Sequence, residues 1–467
     1  MLFNSYEFVF LFLPLTLLVY WVVLRNASAR RIGLLVAGLL FYAYASLGYL
    51  VLLLAMTLFT FLSARYLMTS ERPTRQKLGL LAGVIGNLGV LLLFKYLSSM
   101  DDPSRFDWPV LGRQARIILP LGISFYTFNL IGYCLDVYRR RIPAAASPFA
   151  FVSYSTFFPT VMSGPLVRYA DFRTQRESAL SQPYLLEGFF SLSIGLAKKL
   201  LIADQIAAQI NPLFAQYDQL GFFGAWLVAL GYTYQLYFDF SGYTDMAIGV
   251  GYLLGFRLPL NFNAPYTSRN ITDFWQRWHI TLSNWFRDYL FFPISRALLK
   301  RGKFLTPDWI RTISLVITMT LIGLWHGMSW TFVVWGAYHG LLLAIHAQTR
   351  ALHWKAWPLP LARAATFLAI VAGWVLFRSN SFDMAATLYR SMLGLNGFDT
   401  SLLDAARIGL RFTTIIAGLA VITNLPYDTA TLRPRLNWAY AAAFAVLLTM
   451  CVLMIDKGPQ EFLYFQF

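Results

Sequence analysis

Two histidines stand out in a chain that otherwise avoids charge. His326 lies in LIGLWHGMSWTFVVWGAYHG, residues 321–340, which contains no Asp, Glu, Lys or Arg. About twenty such residues are enough to cross a bilayer. A desolvated imidazole tends to stay neutral, which leaves one ring nitrogen able to take a proton. In a tunnel that admits a hydroxyl, such a ring is a general base. Packed and hydrogen-bonded, it is a core histidine, and the residues alone do not separate the two readings. Gly323 and Gly327 flank the ring and let another group come close. His339 follows thirteen residues later. In one continuous helix that is about 220° of rotation, so the two rings would not converge, and His339 reads as structural or secondary. His339, His346 and His353 recur every seven residues on one helical face. Their spacing of about 10 Å is too long for one metal, whose bonds to histidine nitrogen are about 2.0 Å. No metal site is expected, and Cys134 and Cys451 imply no disulfide framework.

The second histidine, His279, sits in the most unusual part of the chain, residues 231–296. Here aromatic residues alternate with Asp239, Asp245, Asp273, Arg277, Arg287 and Asp288. The block is too polar to face lipid and too apolar for a solvated loop. It reads as a re-entrant or interfacial helical region lining a cavity open to the cytoplasm. If TSRNITDFWQRWHITLSNWFRDYL is helical, Asn270 or Thr272 caps it, and Asp273 and Arg277 pair across one turn. The pair has a bland reading, mutual neutralisation, beside a functional one. Trp275, Trp278 and Trp285 read as an interfacial belt or as packing for the site.

The elements that hold these residues must be membrane helices. Of 467 residues, 58% are apolar and 13% charged, and the apolar runs are continuous rather than alternating, which excludes a β-barrel. The reading is an all-α polytopic membrane protein of roughly ten to twelve membrane segments, forming a single domain, 1–467, with a catalytic core at about 115–347. Segments beyond residue 115 are broken by Pro, Gly, Ser and Thr, and some are expected to be short or re-entrant. The first apolar run lacks a basic stretch before it and reads as a retained span, not a signal peptide. Three basic clusters, Arg25/Arg30/Arg31, Arg65/Arg72/Arg75/Lys77 and Arg139/Arg140/Arg141, fall on one side if residues 33–62 form a hairpin turning near Ser46. That places the N-terminus in the periplasm and the loop at 98–116 outside. The net charge of +16 is scattered between spans, which fits topology and anionic lipid and not nucleic acid.

NFNAPYTSRNITDFWQRWHITLSNWFRDYLFFPI, followed by LWHGMSWTFVVWGAYHG, resembles the membrane-bound O-acyltransferases, in particular their bacterial polysaccharide-acetylating branch. GPLVRYADF (164–172), GLAKKLLIADQ (195–205), QLYFDFSGYTDMAIG (235–249) and GWVLFRSNSFDMA (373–385) match in order. The resemblance covers nearly the whole chain and implies a helical fold around a central tunnel. It implies His326 as the catalytic histidine and His279 as the second. Asp273, Arg277 and Trp278 lie in the same block, with Trp325, Asn284 and Asp239 as further site-lining or supporting residues. One departure stands out. Where alginate-type sequences commonly continue with a Gly-Gly-Asn-Arg-like turn, this chain reads FFPISRALLKRGK, closer to the cellulose-acetylating relatives.

The function implied is an inner-membrane O-acetyltransferase. It would take acetyl groups from cytosolic acetyl-CoA and pass them toward an exopolysaccharide such as alginate or cellulose. Arg269, Arg287 and Arg296 are candidates to meet the donor's phosphates, although for any one of them positive-inside topology is the preferred explanation of the charge. No permanently bound cofactor is expected. The expected partners are membrane lipid, an extracytoplasmic acetyltransferase or esterase-like protein, and polysaccharide secretion machinery. Peptidoglycan acetylation or another acyl transfer is the alternative of the same class, with D-alanylation of teichoic acid the poorer choice. A polysaccharide transporter or flippase is the alternative of another class.

Overall fold

The structure is a computed structural model. It describes residues 1–98, 119–144, 147–175, 182–301, 305–353, 355, 357–405, 410–425, 429, 432, 437–455 and 462–463. The loop at 99–116 therefore lies outside the described residues. All regular elements among those described are helical. Four are long and apolar enough to cross a membrane: Leu47–Thr69, Pro73–Leu97, Pro307–His326 and Leu359–Arg378. Glu7–Val23, Phe412–Thr423 and Trp438–Met454 are shorter apolar helices. The chain divides into two compact units, Met1–Phe189 with Ala247–Pro259, and Phe190–Met246 with Leu260–Phe467.

In the first unit, Ala27–Ala45 and Leu47–Thr69 are separated at Ser46, whose backbone is extended. The Ser46 hydroxyl accepts the Tyr49 N–H and starts the second helix, as serine does at an N-cap. The chain thus breaks where the expected hairpin needs it to. Phe3, Phe8, Phe12, Phe41 and Phe158 form a ring cluster. The buried Asn87 amide donates to Thr60 and to the Gly83 carbonyl, so its donors find partners away from water.

The second unit contains both histidines of interest and the deepest charges. Helices Gln182–Ala197 and Phe222–Leu253 approach closely where two glycines face each other. A Cβ on Gly195 would lie 2.6 Å from the Gly242 carbonyl oxygen, and one on Gly242 would lie 2.8 Å from that of Gly195. This contact carries Lys198 and Lys199 onto the aspartates of the longer helix. Lys198 Nζ lies 2.7 Å from Asp245 and 2.8 Å from the Thr429 hydroxyl. Lys199 Nζ lies 2.8 Å from both Asp204 and Asp239, with all three side chains at most 4% exposed. Lys199 and Asp204 are five residues apart, which an α-helix would set about 140° apart. Lys198–Ala203 is instead a π-helix, whose wider turn brings such residues into line.

A buried cation between two carboxylates is a structural commitment, because removing it leaves two charges without their partner. Replacing Lys199 with Met is expected to destabilise the protein by about 3–5 kcal/mol, read as a lowered unfolding temperature of the full chain in detergent. An unchanged transition would contradict this role.

Candidate active site

His326 ends the helix Pro307–His326, and after a break at Gly327–Ser329 the chain returns as Trp330–Ala351. Gly327 is extended, with φ −176° and ψ 168°, and the Ser329 hydroxyl caps the returning helix by accepting the Thr331 N–H. The two helices pack with almost no side-chain spacing. A Cβ on Gly323 would lie 2.1 Å from the Phe332 carbonyl oxygen, and one on Gly336 would lie 2.3 Å from that of Met319. The expectation that His326 and His339 cannot converge assumed one continuous helix, and the reversal removes that assumption. Both imidazoles lie against the edge or face of Trp335, at 5.2 and 5.0 Å.

His326 is 3% exposed. Besides Trp335 it meets Trp325 at 4.6 Å and Phe377 at 4.9 Å. Trp325 in turn reaches Phe286, which links the His326 helix to the block carrying His279. His339 is fully buried, among Trp275, Trp335, Tyr338 and Trp374. Gly373 leaves room for it, since a Cβ there would sit 2.7 Å from its Nε2. His346 stays on the same helix, whereas His353 lies past its end with φ +53°.

The segment holding His279 is not one helix. It divides into Ile271–Arg277 and Ile280–Phe286, with His279 between them at φ +44° and ψ 52°. That left-handed conformation is uncommon for a residue with a side chain. Two strand-like contacts hold the turn: the Asn263 N–H donates to the Arg277 carbonyl, and the Ile280 N–H to that of Asn261. Asn270 is the N-cap, accepting the Asp273 N–H at 2.8 Å. Asp273 and Arg277 pair at 2.7 Å, as their spacing suggests. Asp273 also accepts the Arg269 N–H, and Arg277 donates to the Asn263 carbonyl. The pair therefore fastens the turn that presents His279.

Asn261 is the residue that orients His279. Its Oδ1 accepts the Thr281 N–H at 3.2 Å and the Thr281 hydroxyl at 2.9 Å, so it is the oxygen that faces His279 Nδ1 at 3.1 Å. A proton must therefore sit on Nδ1, and in the neutral ring Nε2 carries the lone pair. The ring packs edge-on against Phe240 at 4.6 Å. Trp278, 1% exposed, stacks on Phe274 and meets Trp374 with a 46° tilt. Trp374 continues to Trp335 at 6.0 Å, and Trp335 meets His326. Aromatic rings thus lead from the residue beside His279 to His326.

The other expected residues fall in different places. Asn284 is half-buried within Ile280–Phe286. Asp239 has both oxygens engaged, one by Lys199 and the other by the Leu463 N–H, so it belongs to the buried ion cluster. Arg269, Arg287 and Arg296 are exposed, and Arg287 pairs with its neighbour Asp288 at 2.9 Å. Among the described residues no group of three or more His, Cys, Asp or Glu could hold a metal ion. Sequence reasoning did not single out Asn261, Trp335, Trp374, Phe377 or Lys199. The signal for Lys199 was present: a lysine pair inside the apolar run GLAKKLLIADQ must find carboxylates.

A helical chain with several membrane-length apolar segments and two buried histidines among tryptophans defines a class of membrane-embedded protein. The family model for MBOAT, the membrane-bound O-acyltransferase family, matches residues 139–384. The chain belongs to this family and is an O-acyltransferase. It is 40% identical over 462 residues to a protein of Pseudomonas aeruginosa described as "Probable alginate O-acetylase AlgI", covering 95% of this chain and 86% of that one. A protein of the same description from Pseudomonas putida is 36% identical over the full length of both. A "Peptidoglycan O-acetyltransferase" of Helicobacter pylori is 32% identical, covering 100% of this chain and 98% of its own.

The Asn261 network makes a graded prediction. Asn261→Leu removes an acceptor shared by three buried donors, each hydrogen bond lost costing about 0.5–1.5 kcal/mol, whereas Thr281→Val deletes one donor and leaves Asn261 its other partners. The first variant should unfold at a clearly lower temperature than the second. Equal transitions would argue that Asn261 does not anchor the turn.

Proposed function

We propose that this O-acyltransferase moves acetyl groups from cytosolic acetyl-CoA across the inner membrane for O-acetylation of an exopolysaccharide of the alginate or cellulose type. The observation that carries this reading is similarity over almost the whole chain to O-acetylating relatives, joined to buried His326 and His279, each set against aromatic rings. In this reading the single domain spans 1–467, with its core at about 115–347. Roughly ten to twelve membrane segments, some re-entrant, surround a central tunnel, and the N-terminus is periplasmic.

His326 is the general base. Its ring nitrogen takes the proton of an acceptor hydroxyl as that oxygen attacks the thioester carbonyl carbon. The carbon–sulfur bond breaks, and the leaving thiolate takes the proton back from the imidazolium. The protonation of His279 at Nδ1 bears on its role. With the lone pair on Nε2, a neutral His279 accepts a hydrogen bond and does not donate one to an oxyanion. We assign it to holding the acceptor hydroxyl or the His326 side of the site. Asp273, Arg277, Trp278, Trp325 and Asn284 support the two histidines, whereas Asp239 serves the buried ion cluster with Lys199. Arg269, Arg287 and Arg296 meet donor phosphates by charge-assisted hydrogen bonds, for which their exposure leaves them available.

The acetyl group then passes to an extracytoplasmic acetyltransferase or esterase-like protein working with polysaccharide secretion machinery. Peptidoglycan as final acceptor is the second reading, supported by the match to the Helicobacter relative, at lower identity than to the alginate relatives. Acceptor identity is set by which purified glycan gains label in the presence of the soluble partner.

The chemistry is tested with purified protein and acetyl-CoA labelled in the acetyl group. The wild type should release free thiol in step with labelled product. His326→Ala should lose at least about 10²-fold of that rate, the lower range for removing a general base. A transporter without acyl chemistry would release no thiol, and undiminished turnover by His326→Ala would remove the assignment.

A further inference from the structure

A cleft of about 370 Å³ opens beside the first turns of the Leu359–Arg378 helix, lined by Leu359, Pro360, Arg363, Ala364, Phe367 and Asn424. Its walls are apolar apart from Arg363 and Asn424. The Asn424 amide already donates to the Ala420 carbonyl. Arg363 Nε is buried and has no hydrogen-bond partner among the described residues. A cation that merely snorkels would carry its whole guanidinium into water. Here part of the guanidinium is shut away beside an apolar cavity, which an anion attached to an apolar body would complete.

The position fits the edge of a membrane. Arg363 lies four residues into an apolar helix long enough to cross a bilayer, about 6 Å along its axis. Trp357, Leu359 and Leu361 around it are all at least half exposed, an arrangement suited to an interface where indole and aliphatic groups meet headgroups. Arg350 and Lys355 sit near the same end of the helix pair, so that end is cationic.

We propose that this cleft binds an anionic glycerophospholipid, with its phosphate on Arg363 and an acyl chain against Ala364 and Phe367. The recognised chemistry is a phosphate ester, which a free phosphate shares, but only the lipid also fills the apolar walls. Basic clefts between membrane helices bind such headgroups. The inference stands apart from the acyl-transfer reading and does not need it.

The test uses the full chain, stripped of lipid in detergent, with native mass spectrometry reading bound lipid. Phosphatidylglycerol, phosphatidylcholine with the same acyl chains, and inorganic phosphate are the three probes. Phosphatidylglycerol should bind about fivefold or more tighter than phosphatidylcholine, because both offer a phosphate ester but only phosphatidylglycerol keeps its net negative charge, with no choline ammonium set against the arginine. Arg363→Gln should abolish that preference, whereas Arg311→Gln, at an exposed cation of another helix, should keep it. Ala364→Phe keeps the charge, fills the cleft, and should weaken both lipids, which covers the case in which Arg363→Gln does not fold. Equal binding of the two lipids, a preference that survives Arg363→Gln, or undiminished lipid binding by Ala364→Phe would overturn the proposal. Inorganic phosphate competing as well as the lipid would make this an anion site and overturn it too.

Discussion

The candidate site depends on one close approach, that of the Pro307–His326 helix to Trp330–Ala351. Gly323 and Gly336 let each helix backbone touch the other, where any Cβ would strike a carbonyl oxygen. In an apolar setting, where no hydrophobic difference drives helices together, small residues and close van der Waals contact do that work. The reversal at Gly327 then stations His326 at the end of one helix and Trp335 and His339 one to three turns into the next. Substituting bulk at Gly323 or Gly336 would separate the rings before it altered any polar group.

Charge and hydrogen bonding fix what packing alone leaves free. Lys199 is clamped by Asp204 and Asp239, and Asp239 also receives a backbone N–H from Leu463. The last described residues are thereby tied to the middle of the chain, and the Phe462 ring covers Lys199 at 4.5 Å. Asn261 plays the corresponding part for His279, holding it through Thr281 and setting which nitrogen is protonated. A buried polar network of this kind is costly when incomplete and specific when satisfied.

Composition and unbroken apolar runs were enough to read an all-helical membrane protein, and the i, i+4 spacing of Asp273 and Arg277 was enough to read their pair. The break at Ser46 and the Asn270 cap were also legible, because serine and asparagine at helix starts have a local mechanism. Two features were not. The left-handed turn at His279 is set by pairing with residues 261–263, a tertiary contact that helical periodicity cannot report. The meeting of His326 and His339 on Trp335 depends on a three-residue reversal inside an uncharged run, where hydropathy sees one continuous segment. The Lys199 cluster joins residues 40 positions apart, so the sequence shows the need for a partner without its address.

In the proposed function one protein carries both the acyl chemistry and the passage of the acetyl group across the membrane. Inside-out vesicles containing the purified chain, with a soluble hydroxyl acceptor enclosed and labelled acetyl-CoA supplied only outside, test this directly. O-acetylated acceptor should appear in the lumen while the labelled thioester stays outside, and none should appear with His326→Ala. Lumenal product from the His326→Ala chain, or intact acetyl-CoA accumulating inside, would contradict it.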